Sequence, residues 1–218
     1  MNIKTLIKPS TLLFAFSLLI SSCMTVSYSP WVSLDVSSST INKSVVFEKF
    51  VDNTSPNEKN NPFGGFSVTN KKALTKELNT EVTRAIAADF STNGVFKDVR
   101  LKNDSADYVI KGEIKKFKGK NRPTYFMYSY IPTLGFALIP MLFGVPTNVT
   151  FTDIEIEVSI YDRSKHLVGK YTGLANNVQR GNMYNNKTAG SLSFVNKNFS
   201  NAIQQIRDKI IKDAAKFK

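Results

Sequence analysis

The chain has 218 residues, a net charge of +12 and a single cysteine. One cysteine excludes an internal disulfide, one histidine excludes a multi-histidine metal site, and the length is ample for one packed core. A basic balance points to nucleic acid, anionic lipid or another acidic polymer, and no RRM, KH or zinc-finger pattern supports the first.

Residues 1–22 read as an export signal. MNIKTLIK carries Lys4 and Lys8 with no acid, LLFAFSLLI (12–20) is a compact apolar core, and Ser21 and Ser22 are small. The core falls short of the roughly 20 residues that span a bilayer. Without the two lysines the remainder of the chain still carries +10, and export makes nucleic acid a poor partner. Ile20-Ser21-Ser22-Cys23 resembles the bacterial lipobox. That resemblance implies cleavage between Ser22 and Cys23 and acylation of Cys23. Met24 in place of Asp then implies transfer to the outer membrane, facing the periplasm. Residues 23–40 are Ser- and Thr-rich and read as a lipidated tether with a short strand at 31–36; residues 41–218 read as a single domain.

SVVFEKFVD (44–52) has the β-branched and aromatic content of a strand, and DNTSPNEKNNPFGG (52–65) is a loop. Leu74, Leu78, Val82, Ala85, Ile86 and Phe90 recur at helical spacing over 71–91, with Thr69 or Asn70 as cap and Asn93-Gly94 as a left-handed stop. Strands are expected at 96–101 and 106–119, the second with an alternation that slips near Lys116. A half-buried antiparallel strand follows at 150–162, in which Phe151, Ile154, Ile156, Val158 and Ile160 alternate with Asp153, Glu155, Glu157 and Ser159. The turn Asp162-Arg163-Ser164-Lys165 leads into its hairpin partner at 166–174, and 176–189 reads as a polar loop. Phe199, Ile203, Ile206, Ile210 and Phe217 mark a last helix over 193–217. These elements predict an α+β fold, a single mixed or mainly antiparallel sheet with two helices on one face.

SVVFEKFVDNTS, Ala106-Asp107-Tyr108-Val109 with Gly112, and the hairpin opening at Asp162 resemble a broad group of small envelope lipoproteins. The group includes auxiliary lipoproteins of lipid-transport systems, penicillin-binding-protein activators and the N-terminal domain of the Tol-Pal β-propeller protein. The resemblance covers roughly 44–120 and 150–217, and it implies a non-catalytic protein.

Between the halves lies an apolar insertion (123–149) with no charged residue from Arg122 to Asp153. Its core, 125–145, is long enough for a membrane-spanning helix, but Pro132 and Pro140 each cost about 3 kcal/mol inside one. Three placements stay open: an apolar hairpin dipping into the leaflet, docking in a groove of a membrane protein, or folding over the sheet as core. Tyr125, Tyr128 and Tyr130 suit the headgroup level. Phe126, Phe136, Leu138, Met141, Leu142 and Phe143 supply apolar contact with membrane or partner. The basic run just before it, Lys115, Lys116, Lys118, Lys120 and Arg122, suits anionic lipid or lipopolysaccharide, or simply solvates a strand face.

Asp153, Glu155 and Glu157 read as a solvated strand face and His166 as a strand residue beside the turn. No P-loop, G-x-S-x-G or G-x-G-x-x-G is present. The expectation is a lipid-anchored, non-catalytic adapter of an envelope machine, for lipid or lipopolysaccharide transport, without metal or cofactor. The alternatives are a regulator of peptidoglycan synthesis, a surface-exposed binding lipoprotein or an envelope hydrolase.

Overall fold

The computed structural model of the chain describes residues 29–32, 41–54, 77–101, 105–124, 142–182 and 188–217. Within them one six-stranded sheet carries two helices on one face. The strands are β1 (Ile41–Phe47), β2 (Val51–Asp52), β3 (Phe96–Arg100), β4 (Tyr108–Pro123), β5 (Asn148–Asp162) and β6 (Leu167–Gly181). The helices are α1 (Leu78–Thr92) and α2 (Thr188–Lys212), the latter followed by a 3-10 turn at Ala214–Lys216. The order is β3-β1-β4-β5-β6, with β2 on β4. β1 is parallel to β3 and to β4, whereas β4, β5 and β6 form an antiparallel meander, so the sheet is mixed.

Alternation builds the core. Ile154, Ile156, Val158 and Ile160 of β5 point toward the helices, as do Ile110, Ile114 and Phe117 of β4, and all are buried. They meet Phe199, Ala202, Ile203, Ile206 and Ile210, one stripe of α2. Leu78, Val82, Ile86 and Phe90 of α1 complete the layer. Edge-to-face ring pairs run through it: Phe47 with Phe90, and Phe96 and Tyr108 with Phe217. Such pairs contribute about 0.5–1.5 kcal/mol each beyond the area they bury. The slip in β4 is a bulge between Ile114 and Lys116, which brings Lys115 and Lys116 onto one face of the sheet. α1 ends as its sequence predicts: Gly94 sits at φ +59°, its N–H reaches the Ser91 carbonyl, and the Val95 N–H reaches the Phe90 carbonyl.

Several boundaries differ from the sequence reading: the strand expected over 44–52 divides into the end of β1 and β2, β4 runs past 119 to Pro123, and α2 ends at Lys212 rather than 217. β6 continues through 176–181, read as loop; every residue there pairs with β5, and pairing outweighs the low strand propensity of Asn and Gly. His166 lies in the turn rather than in a strand, with its backbone N–H bonded to Asp162 Oδ1. α2 begins at Thr188 rather than 193, and α1 begins at Leu78 because Glu77 is extended (ψ 133°). The proposed caps Thr69 and Asn70 lie outside the described residues. So does most of the tether strand, of which Trp31 and Val32 are irregular.

Candidate functional site

Beyond the bulge the β4–β5 ladder continues to Pro123 opposite Asn148, and the Thr124 N–H bonds the Thr147 carbonyl at 2.9 Å. The chain therefore leaves the ladder at Thr124 and returns to it at Thr147 at the same end of the sheet, the crown end. Of the predicted contact residues of the insertion, Tyr125, Phe126, Tyr128, Tyr130, Phe136, Leu138 and Met141 lie outside the described residues, as do Ser22 and Cys23. Leu142 and Phe143 are described, and they are 60% and 83% exposed.

The sheet face away from the helices can be read in rows from the crown. The first row across β4, β5 and β6 is Arg122, Val149 and Arg180; the second is Lys120, Phe151 and Val178; the third is Lys118, Asp153 and Asn176; the fourth is Lys116, Glu155 and Leu174. The predicted basic run divides along this ladder. Lys116 pairs with Glu155 at 3.2 Å, and Lys115 and Lys170 hold the two oxygens of Glu157 at 2.7 and 2.6 Å. Burial pushes the Glu157 carboxyl up, but the hydrogen bonds from Lys115 and Lys170 outweigh it and hold the group below its usual range. These lysines neutralise their own face. The two rows nearest the crown hold Lys120, Arg122 and Arg180 and no carboxylate. Burial, then the charges of Arg122 and Lys118, lower the Lys120 ammonium from its usual value. Among these cations stand Phe151, 39% exposed, and Val178, 56% exposed.

Sequence reasoning missed Phe151, Val178 and Arg180. Phe151 lies three residues before Ile154, so parity alone puts it on the opposite face from Ile154, Ile156 and Val158. Val178 and Arg180 fall in the stretch read as loop; the signal there was Val-x-Arg continuing the outward period of β6.

The chain upstream of β1 crosses the helix layer. Ser29 Oγ donates to Glu81 Oε2 at 2.8 Å, and the Trp31 N–H donates to Asn196 Oδ1 at 3.3 Å. α2 runs antiparallel to β6, since Asn198 meets Asn177, Gln205 bonds Leu174, and Lys209 bonds the Thr172 carbonyl. Asn196 therefore lies in the crown-side third of α2. A groove of about 270 Å³ opens beside Trp31, lined mainly by Ser193, Lys197, Asn201, Gln204 and Arg207.

His166 and Asp107 lie at the opposite end of the sheet from the crown. His166 is exposed in the β5–β6 turn, 3.4 Å from Asp162. Asp107 accepts from the Ser44 N–H and hydroxyl at 2.9 and 2.8 Å and from Arg163 Nη2 at 2.8 Å, tying β1 to the start of β4 and to that turn. Among the described residues no three His, Cys, Asp or Glu side chains are grouped to hold a metal ion, and no helix is long and apolar enough to cross a membrane.

No protein-family model and no curated protein matches the chain. Solved structures do. A Xanthomonas campestris protein of family DUF330 superposes with a TM-score of 0.50 at 9% identity, covering 87% of this chain and 97% of that one. A PelC dodecamer from Paraburkholderia phytofirmans aligns over 80% of this chain and 95% of its own at 13% identity, TM-score 0.32. The lipoprotein GNA1162 of Neisseria meningitidis aligns over 74% and 97% at 10% identity, TM-score 0.26. The last two are too distant to extend the comparison; the first shows that this chain is similar in fold to the Xanthomonas protein along nearly its whole length.

Proposed function

We propose that the chain is a bacterial lipoprotein held at the outer membrane by acyl chains on Cys23. In this reading it faces the periplasm and serves as a non-catalytic adapter in an envelope machine, of the class that moves lipid or lipopolysaccharide. The observation that carries the reading is the end of the β4–β5–β6 meander. There, cations alternate with exposed Phe151 and Val178, and Leu142 and Phe143, just before the chain rejoins the ladder, are exposed. That is binding chemistry for amphipathic anions. Acid–base chemistry would need a carboxylate or imidazole poised near its working pH, whereas Glu155 and Glu157 are spent on lysines.

The placement of 29–32 fits an anchor at Cys23. Ser29 lies six steps along the chain from Cys23, an extended reach of at most about 21 Å, so acyl chains on Cys23 would hold the helix layer close to the leaflet. Mass spectrometry of the chain recovered from bacterial membranes tests the anchor. An N-terminus at Cys23 carrying diacylglycerol and a third acyl chain is expected, and Cys23→Ala should leave the signal uncleaved. An unmodified Cys23 in the membrane-bound chain contradicts the reading. In-cell photo-crosslinking scanned over the exposed positions of β6 tests the adapter role. A discrete envelope-protein adduct is expected, and its absence at every position contradicts that role.

A further inference from the structure

β6 is an edge of the described sheet, and only half of that edge is closed. We propose that its open half pairs with the same strand of a second copy of this chain, antiparallel and centred on Val178, so that two sheets join into one. This gives the anchored lipoprotein a partner, and the last of the arguments for it rests on the anchor.

Backbone direction separates the two halves. The Leu174 N–H donates to Gln205 Oε1 at 3.1 Å, Gln205 Nε2 donates to the Leu174 carbonyl at 2.8 Å, and Lys209 Nζ donates to the Thr172 carbonyl at 2.6 Å. The Thr172 carbonyl and both Leu174 backbone groups therefore face away from β5, and α2 closes the edge over them. That direction alternates along an antiparallel strand, and the β5–β6 register runs without a shift from Leu174 to Gly181. Asn176, Val178 and Arg180 thus turn their N–H and C=O groups outward too, and no described residue bonds those groups. The stretch has no proline and no bulge, the devices that blunt an edge, and its one charge is Arg180.

The open half is complementary to itself. A two-fold centred on Val178 sets Val178 against Val178 of the second copy, and Arg180 against Asn176 of the second copy. All three open positions are used and no closed one. A centre nearer Leu174 asks for backbone groups that Gln205 already holds, and a centre nearer Gly181 draws the two Arg180 side chains together. Centred on Val178, the two arginines stand four residues apart along the strands, about 14 Å, beyond the screening length of about 8 Å. Each falls instead in one row with Asn176 and Asp153 of the other copy, since Asp153 lies opposite Asn176 on β5. Phe151 and Val178, opposite each other and exposed, continue into their counterparts as one apolar row across the seam. On the helix side Asn177 and Gln179 are exposed, so α2 leaves the seam clear. The two-fold stands normal to the sheet and keeps both helix layers, with the straps at 29–32 bonded to them, on one side. Two Cys23 anchors can then enter one leaflet, which concentrates the copies enough for a short seam to hold.

Disulfide cross-linking of the full acylated chain in isolated membranes tests the seam. Cys23 is the only cysteine, and acylation consumes its thiol. Asn177→Cys and Gln179→Cys are placed in separate copies with different tags. A centre at Val178 sets 177 of one copy across from 179 of the other, at the spacing of about 4.5 Å of a non-hydrogen-bonded pair, which a disulfide spans. Oxidation is expected to join the two copies when they are produced together, and to give about tenfold less product from either copy alone. Val178→Pro removes an N–H that faces the second copy and none that faces β5, so it should cut the cross-link about tenfold and leave the unfolding midpoint unchanged. If that variant unfolds, Val178→Lys, which sets like charges across the centre, should cut the cross-link equally. No cross-link in the mixture, equal cross-linking within either copy alone, a cross-link indifferent to position 178, or joining to a different protein overturns the proposal. The intact mass separates the seam from the anchor. Acylated copies that do not cross-link sink the seam and leave the anchor standing. If Cys23 is unmodified the anchor falls, and Cys23→Ser copies mixed at millimolar concentration decide the seam: a 177–179 disulfide keeps it and its absence overturns it.

Discussion

Gly173 decides how closely α2 can lie on β6. A Cβ at that position would fall 2.1 Å from the Ala202 carbonyl oxygen, 2.8 Å from its carbon and 3.0 Å from Ile206 Cγ1. Backbone atoms cannot swing aside, so Gly173→Ala obliges α2 to retreat by about 1 Å to restore normal van der Waals spacing. The retreat loosens Phe199, Ala202, Ile203 and Ile206, all fully buried. Overpacking of this kind costs about 1–3 kcal/mol, and a backbone obstacle belongs at the upper end. Alanine recovers about 0.5–1 kcal/mol of strand preference over glycine, which leaves a net loss of about 2 kcal/mol. For a chain of this size that lowers Tm by roughly 4–8 °C. Gly169→Ala is the internal control. There the added carbon meets the far end of the Tyr171 ring, 2.3 Å from Oη. The ring can turn away, giving up its 3.2 Å hydrogen bond to Asp213, so a loss of about 1 kcal/mol is expected. Urea unfolding of both variants, followed by far-UV circular dichroism, measures the difference. A Gly173→Ala protein within about 0.5 kcal/mol of the parent would refute the close seating of α2 on β6.

Arg207→Met should cost about 3 kcal/mol in the same assay, because Asp89 is buried against Arg207 at 2.9 Å and losing one partner strands a charge; replacing both residues with apolar ones should recover part of the loss. The bonds from the Ser44 N–H and hydroxyl, aided by Arg163, hold the Asp107 carboxyl below its usual range. Its contribution is therefore full above the unfolded carboxylate pKa of about 3.9 and fades as pH falls through the lower folded value. Asp107→Asn should be less stable than the parent at pH 7, and the two should converge in acid; a constant gap across the titration would contradict this. Replacing 125–146 by Asn-Gly should leave the unfolding midpoint nearly unchanged, since the ladder closes at Thr124–Thr147. A large drop in stability would instead place the insertion in the core.

The elements whose faces differ sharply in polarity were legible in sequence. The α2 stripe from Phe199 to Ile210, the β5 alternation from Ile154 to Ile160 and the Asn93-Gly94 stop each state their structure in local chemistry. The slip near Lys116 already marked the bulge. The residues behind the family resemblance turn out to serve architecture: Asp107 ties β1 to β4, and Gly112 leaves room for the Phe50 ring, which would lie 2.2 Å from a Cβ there. What stayed hidden depends on pairing across the sheet. Residues 176–181 look like loop until β5 supplies their partners, and Lys115 and Lys116 cannot be told from Lys120 and Arg122 until Glu155 and Glu157 are found opposite them. The parallel contacts of β1 with β3 and β4 join segments about 50 residues or more apart, beyond any local pattern.

Mass spectrometry of the N-terminus of the chain recovered from bacterial membranes bears most directly on a lipid-anchored envelope protein. A Cys23 N-terminus carrying diacylglycerol and a third acyl chain is the predicted result. A chain released into the soluble fraction with residues 1–22 removed and Cys23 unmodified would contradict it.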